Sequence, residues 1–415
     1  MTDIRPLAPA DFDAAVPIFL QAYPGMKVVT EEEREEFRKR MIKFNHEDPT
    51  ATFYGLFRDD QLLGIQCFYD FTMTFLGTSI PAGGVGQIAV HLAHKKEHVA
   101  KEMIHFFLRH FRKQGTPLVA LYPFRPDFYK QMGFGYGPKM NSYRIKPASL
   151  PRGPSKTHVR TLADADRKAV VDCYQRFAAR THGMMAKEER EVKRMFETQE
   201  HHLVGYERDG QIQGYFVYVW KQSEQFVTND IQIKEFVYET PEALSELLTF
   251  LQTQADQVRL ILLETQDEYL HFLLLDPRND SGRMFNTVHH ESNTQGVGLM
   301  FRVIDVLGTL DRLSERNFSG ETCTLKLTIE DSFLPENANS TLLRFQDGRL
   351  DGPDSMAYDV GVHLDISDFT SVLMGVVDFH SLVRYGLATI SDEDYVDKLN
   401  RIFAVEQKPI CISQF

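Results

Sequence analysis

The sequence predicts an α/β chain in which one α/β domain occurs twice in tandem and a third domain, of α+β type, follows. Three observations predict it: an internal duplication, a Pro-rich stretch between the two copies, and a change of pattern towards the C-terminus. The 415 residues leave room for several domains of roughly 100–200 residues each.

The duplication is read from two pairs of segments in the same order. Residues 4–16, IRPLAPADFDAAV, match residues 159–171, VRTLADADRKAVV. Arg5, Leu7, Ala8, Ala10, Asp11, Ala14 and Val16 recur as Arg160, Leu162, Ala163, Ala165, Asp166, Ala169 and Val171. Residues 55–64, GLFRDDQLLG, match residues 205–214, GYERDGQIQG. Each copy therefore predicts a short strand, a turn containing Asp, an apolar-periodic helix, and a hairpin closed by a polar pair, Asp59-Asp60 or Asp209-Gly210. The stretch KPASLPRGPSK at 146–156 reads as a linker. The loop NDSGRMFNTVHHESNTQGVG at 279–298 marks the passage into the third part, where strand runs such as TCTLKLTIED and YDVGVHLDI precede helices. The expected domains are 1–150, 151–290 and 291–415.

Composition narrows the function. Hydrophobic residues make up 43% and charged residues 25%, an ordinary globular balance. A net charge of −12 argues against nucleic acid as the main partner. It is compatible with a cationic substrate, although solubility alone explains a mild acidic excess. Cys67, Cys173, Cys323 and Cys411 are far apart with no CxxC, which argues against a metal site or a disulfide framework and for a reducing, cytoplasmic setting. The N-terminus lacks the apolar stretch of a signal peptide, and no apolar run approaches the ~20 residues of a membrane span. The pairs His201-His202 and His289-His290 lack supporting ligand spacing and read as structural or surface residues.

Copy one carries the chemical signal, in GGVGQIAVHLAHKKEHVAKEMIHFFLRHF. Gln87 to Val90 is strand-like and His94 to Ala100 is a basic turn. Ala100, Ile104, Phe107, Leu108 and Phe111 then form one helical face. A strand, a short turn and a helix N-terminus make an anion site, because unsatisfied N–H groups and the helix dipole both favour phosphate. Lys95, Lys96 and Lys101 add charge suited to a pyrophosphate; they also suit a merely solvated helix start.

This stretch resembles the acetyl-CoA motif of the GNAT superfamily, [Q/R]-x-x-G-x-[G/A]. Lys95 stands at the first place, Ala100 at the last, and His98 where glycine is expected. Tandem copies followed by a third domain resemble the enhanced intracellular survival (Eis) family, whose third domain is similar to sterol carrier protein type 2. The segments FYKQMGFGYGP at 128–138, MFRVIDV at 300–306 and KPICISQF at 408–415 carry the same resemblance. It implies tandem GNAT domains followed by a sterol-carrier-like domain.

The resemblance also implies roles. The turn from Lys95 and Lys96 through Glu97, His98, Val99 and Ala100 to Lys101 would hold the pyrophosphate of acetyl-CoA. Backbone N–H in Ile88, Ala89 and Val90 would receive the thioester carbonyl, with a second contact from Phe124 and Arg125. Tyr129 would be the general acid, and packing in an aromatic-rich core is its other reading. The general base would be the terminal carboxylate of Phe415. In copy two, Glu239 and Glu242 occupy the turn where copy one has lysines, so one CoA site per chain is expected. The implied activity is acetyl transfer, without a metal, to a primary amine of a small polycation or a lysine side chain, by a cytoplasmic homo-oligomer of which a hexamer is one form. The helix expected in TEEEREEFRKRM at 30–41, with Thr30 as N-cap, would border the amine pocket. His98 leaves a second reading open: a GNAT-like chain that has lost CoA binding and serves as a binding or regulatory protein.

Overall fold

The computed structural model describes residues 2–222, 228–352 and 356–415. The chain divides into two compact units. The first comprises Met1–Gly137, Leu299–Lys408 and Gln414–Phe415; the second comprises Pro138–Gly298 and Pro409–Ser413. The chain thus passes from one unit to the other after Gly137 and again after Gly298.

In the first unit, β1 (Thr2–Pro6) leads into α1 (Phe12–Ala22) and α2 (Glu31–Glu47), followed by β2 (Ala51–Arg58), β3 (Gln61–Phe75) and β4 (Thr78–Val90). Next come α3 (Val99–Lys113), β5 (Leu118–Leu121), the short α4 (Pro126–Lys130) and β6 (Gly135–Tyr136). In the second unit, β7 (Met140–Ile145) precedes β8 (Val159–Thr161), α5 (Arg167–Arg180), α6 (Glu189–Glu197), β9 (His202–Arg208), β10 (Gln211–Lys221) and β11 (Asn229–Tyr238). It continues with α7 (Pro241–Gln252), β12 (Val258–Thr265), a small hairpin of β13 (Met284–Phe285) and β14 (His289–His290), and β15 (Asn293–Gly296). The chain then re-enters the first unit at β16 (Met300–Val303).

The two large sheets have the same order. One runs β1-β2-β3-β4-β5-β16-β6 and the other β8-β9-β10-β11-β12-β7-β15. Each has a single parallel pair, β4 with β5 and β11 with β12. In each, the strand beside the fifth comes from the other stretch of sequence: β16 joins the first sheet and β7 the second. The copies have therefore exchanged a strand. The Pro-rich stretch after β7 is no free linker. Leu150 is 2% exposed, and Gly153 N–H donates to Thr249 Oγ1 on α7 at 2.7 Å.

The repeated residues explain themselves locally. Arg5 grips Asp11 through both guanidinium nitrogens, at 2.7 and 3.0 Å, and Asp11 also accepts from Ala8 N–H. Arg160 grips Asp166 in the same way, at 2.9 and 2.7 Å, and Asp166 accepts from Ala163 N–H. The clamp ties the first strand of each copy to the start of its first long helix. Both hairpin turns have two left-handed central residues, Asp59 and Asp60 at φ 48° and 65°, Asp209 and Gly210 at φ 55° and 74°. That geometry matches the twist of the strands it joins. As expected, α2 starts on Thr30, whose hydroxyl accepts from Glu33 N–H while Glu33 reaches back to Thr30 N–H.

The helices cover both faces of the first sheet. Phe12, Val16, Ile18 and Phe19 of α1, with Phe37 and Met41 of α2, pack on Ile65, Cys67 and Ala89. Ile104, Phe107, Leu108 and Phe111 of α3 pack on the opposite face with Phe68, Val85, Val119 and Tyr129. Each such side chain contributes about 1.5–3 kcal/mol through loss of apolar surface to water.

The remainder of the first unit is the third domain. It has α8 (Val306–Asp311), β17 (Cys323–Glu330), β18 (Asn339–Gln346), β19 (Arg349–Asp351), β20 (Val360–Asp365), α9 (Ile366–Leu373), α10 (Phe379–Arg384), β21 (Ala388–Ile390) and α11 (Val396–Ile402). Its sheet runs β19-β18-β17-β20-β21. It is pinned to the first sheet by a fully buried pair. Arg302 on β16 meets Asp331, just beyond β17, at 2.8 and 3.0 Å, and Asp331 also accepts from Leu334 N–H and Asn337 Nδ2.

Candidate active site

The site begins where two strands part. β4 and β5 pair only over Ala82–Gly84 and Leu118–Ala120, and β4 then continues to Val90 without a strand on that side. Within this open stretch the register with β3 slips between Ile65 and Cys67. Gln87 sits at φ 52°, a left-handed conformation that costs a non-glycine residue about 1–2 kcal/mol. Its amide donates to the Tyr69 hydroxyl at 2.8 Å, which fixes the bulge. The bulge re-aims the backbone of Ile88, Ala89 and Val90. The Ala89 side chain is itself core, 1% exposed, so only its backbone can serve a ligand. Tyr23, at the end of α1, donates its hydroxyl to the Ile88 carbonyl oxygen at 3.1 Å.

The basic turn follows. Lys95, Lys96, Glu97, His98 and Lys101 are exposed, Val99 is buried and Ala100 is half-buried. Val99 closes one end of the core, so the turn itself carries the charge outward. His98 is the N-cap of α3, at φ 64° and ψ 6°, and offers no side-chain cap. It takes the left-handed backbone that a glycine adopts without strain, so its departure from the GNAT motif lies in the side chain and not in the path of the chain. Glu97 does not oppose an anion freely. Its carboxylate meets Arg58 and His94, and Arg58 also donates to the Glu97 carbonyl and to Glu102. The result is a helix start with uncapped N–H groups, a neutralised acid and three exposed lysines, which suits a pyrophosphate.

Copy two keeps the parted strands but closes the helix start. α7 opens with Pro241, and Thr240 caps it by accepting from Ala243 N–H at 3.1 Å. Glu239 is held by Arg176 Nε at 2.8 Å, and Glu242 stands in the first turn. An N-terminus already capped, with carboxylates beside it, offers a phosphate little.

Tyr129 lies on α4, 2% exposed, with Phe128 and Phe134 edge-on at 5.3 and 5.9 Å. Burial raises its phenol above the ordinary value, and the nearby Tyr23 adds to the effect. Phe124 is 76% exposed and Arg125 is paired with Asp127, so both are at the surface of the loop after β5.

Phe415 is seated on β4. Its ring lies 4.9 Å from Phe71, 5.3 Å from Tyr122 and 5.5 Å from Tyr69. Gly84 and Gly86, two apart and hence on one face of the strand, make room for it. A Cβ on Gly84 would come 3.0 Å from the Phe415 ring, and one on Gly86 would come 2.9 Å from the terminal carboxyl carbon. Glycines spaced this way inside a strand, GGVG at 83–86, are a local mark of such a close approach. Tyr23 lies against Phe19, ring centroids 4.7 Å apart, as a core aromatic would, but its hydroxyl end belongs to the site. Among the described residues no three His, Cys, Asp or Glu side chains gather as metal ligands, and no helix is long and apolar enough to cross a membrane.

Comparison with known proteins fits this geometry. Residues 3–137 and 178–303 each match a family model described as an acetyltransferase (GNAT) domain, and residues 311–412 match the sterol carrier protein domain. No curated protein matches the chain by sequence. Solved structures share its fold over the full length of both chains. They include a GCN5-related N-acetyltransferase from Anabaena variabilis (17% identity, TM-score 0.82) and a probable N-acyltransferase of unknown function from Enterococcus faecalis (20%, 0.78). Eis1 from Mycobacterium abscessus is a third (19%, 0.76). The chain is an acetyltransferase with two GNAT domains followed by a C-terminal sterol carrier protein domain, and it shares its fold with Eis1 over the full length of both chains.

Proposed function

We propose that the first GNAT domain transfers acetyl from acetyl-CoA to a primary amine, with the Phe415 carboxylate as base and Tyr129 as acid. The observation that carries this reading is the chain terminus seated on β4, beside the strand segment that the GNAT fold uses for the thioester. Ionised at neutral pH, an α-carboxylate accepts the proton that the attacking amine must lose. As the C–N bond forms and the C–S bond breaks, backbone N–H in the bulged segment Ile88–Val90 stabilises the oxyanion. Tyr129, kept protonated by burial, gives its proton to the leaving thiolate. Lys95, Lys96 and Lys101, with the uncapped start of α3, hold the pyrophosphate, while Phe124 and Arg125 flank it.

A lysine side chain or a small polycation is the acceptor that family resemblance favours; the cationic lining described below argues instead for an amine that also bears a carboxylate. Assembly as a homo-oligomer is part of the reading, supported by exposed Tyr269, Phe272 and Leu275. Four reduced, buried cysteines agree with a cytoplasmic setting. The test is release of free thiol from acetyl-CoA across a panel of primary amines. No release with any of them, together with no thermal shift on adding CoA, would favour the CoA-free binding protein.

A further inference from the structure

Between the end of α1 and the start of α2 lies a cavity of about 360 Å³, a volume suited to a small organic molecule. Leu20, Met26, Val28 and Val29 give it an apolar wall. Met26 and Val29 are 48% and 73% exposed, which is unusual for side chains with nothing to cover. The cavity adjoins the site through Tyr23, which lines it and also bonds the Ile88 carbonyl. Its charged lining is Lys27 and Arg34, with no carboxylate. Arg34 is only loosely matched by the exposed Glu31, at 3.6 Å. Glu33, near the mouth, commits one carboxylate oxygen to Val29 N–H and Thr30 N–H.

We propose that this cavity binds the acceptor, and that the acceptor is a primary amine on an apolar body that also bears a carboxylate. The proposal rests on the reading that the amine is acetylated at β4. Lys27 and Arg34 pair with the carboxylate, the apolar wall covers the body, and the amine points past Tyr23 towards the thioester. The amine nitrogen forms a bond to the acetyl carbon, the thiol leaves, one amine proton passes to the base, and the carboxylate is unchanged. A polycation meets two like charges here and is disfavoured.

The experiment uses two matched pairs on the full chain with CoA present. The pairs are L-phenylalanine with 2-phenylethylamine, and 4-(aminomethyl)benzoate with benzylamine. Binding is read by calorimetry and turnover by thiol release. The carboxylate-bearing member of at least one pair is expected to bind tenfold or more tightly, and Lys27→Gln or Arg34→Gln should erase that difference without lowering the melting temperature. Equal binding within both pairs, or tighter binding of spermidine than of any of the four, overturns the proposal. Selective binding without turnover would leave the cavity assignment standing and sink the catalytic reading instead.

Discussion

Gly86 and the terminal carboxylate of Phe415 are in close contact: a methyl group on Gly86 would stand 2.9 Å from the carboxyl carbon and 3.1 Å from one of its oxygens. The strand has been kept bare where the chain ends.

This contact makes Gly86→Ala a probe of the terminus. The added methyl must push the carboxylate away, since β4 is held by its neighbour β3. We expect kcat to fall at least tenfold while the Kd for CoA changes less than threefold, and one extra residue after Phe415 should act the same way. An unchanged kcat in both would remove Phe415 from the mechanism.

Tyr129 allows a clean split between chemistry and packing. Tyr129→Phe keeps the ring contacts with Phe128 and Phe134. A general acid is worth about 10²–10⁴-fold in rate, so kcat should drop within that range. The melting temperature should hold steady. A stability loss with normal kcat would make the residue structural.

His98→Gly tests the motif departure. Glycine adopts φ 64° without the cost of about 1–2 kcal/mol borne by a side chain, and it opens the turn to the pyrophosphate. CoA should bind severalfold more tightly, with one site per chain by calorimetry in both proteins. A second site would mean that the capped helix of copy two also binds.

The buried pair of Arg302 and Asp331 should be costly to break. Asp331→Leu strands a guanidinium that is 0% exposed, at a cost of about 3–5 kcal/mol. Adding Arg302→Met should recover most of it, since two apolar groups need no partner. Thermal unfolding of the single and double variants measures this; equal melting temperatures would show that the pair holds nothing.

The clamp of Arg5 and Asp11 carries a pH signature. The Arg5 hydrogen bonds hold the Asp11 carboxyl below its ordinary value. Its folded pKa is therefore below its unfolded one, so its stabilisation is present above about pH 4 and is lost as the pH falls through the folded value. Asp11→Asn should cost about 0.5–1 kcal/mol at pH 7, since Arg5 is partly solvated. The gap should close in acid, and a gap that persists at pH 2 would assign the loss to the helix start alone.

Much of this was legible in the sequence because local rules carried it. The repeat contains both residues of the clamp, the polar pairs predict the hairpins, and the apolar period of α3 gives its buried face. What escaped was long-range. No local pattern distinguishes Met140–Ile145 or Met300–Val303 from strands that pair near home, so the exchange is not legible there and the packed stretch at 146–156 reads as a linker. Nor does any local pattern show that the Tyr23 hydroxyl reaches the Ile88 carbonyl, 65 residues away.

The exchange of strands has a consequence for biosynthesis. The ribosome finishes β6 at Tyr136 but does not reach β16 until Met300, a delay on the order of 10–30 s at about 5–20 residues per second. Through that interval the nascent first domain waits with a gap beside β5, its Leu118–Leu121 edge unpaired and open to wrong partners. Expression of residues 1–150 alone would freeze the protein in that unfinished state, and a slowed translation rate would prolong its exposure to chaperones.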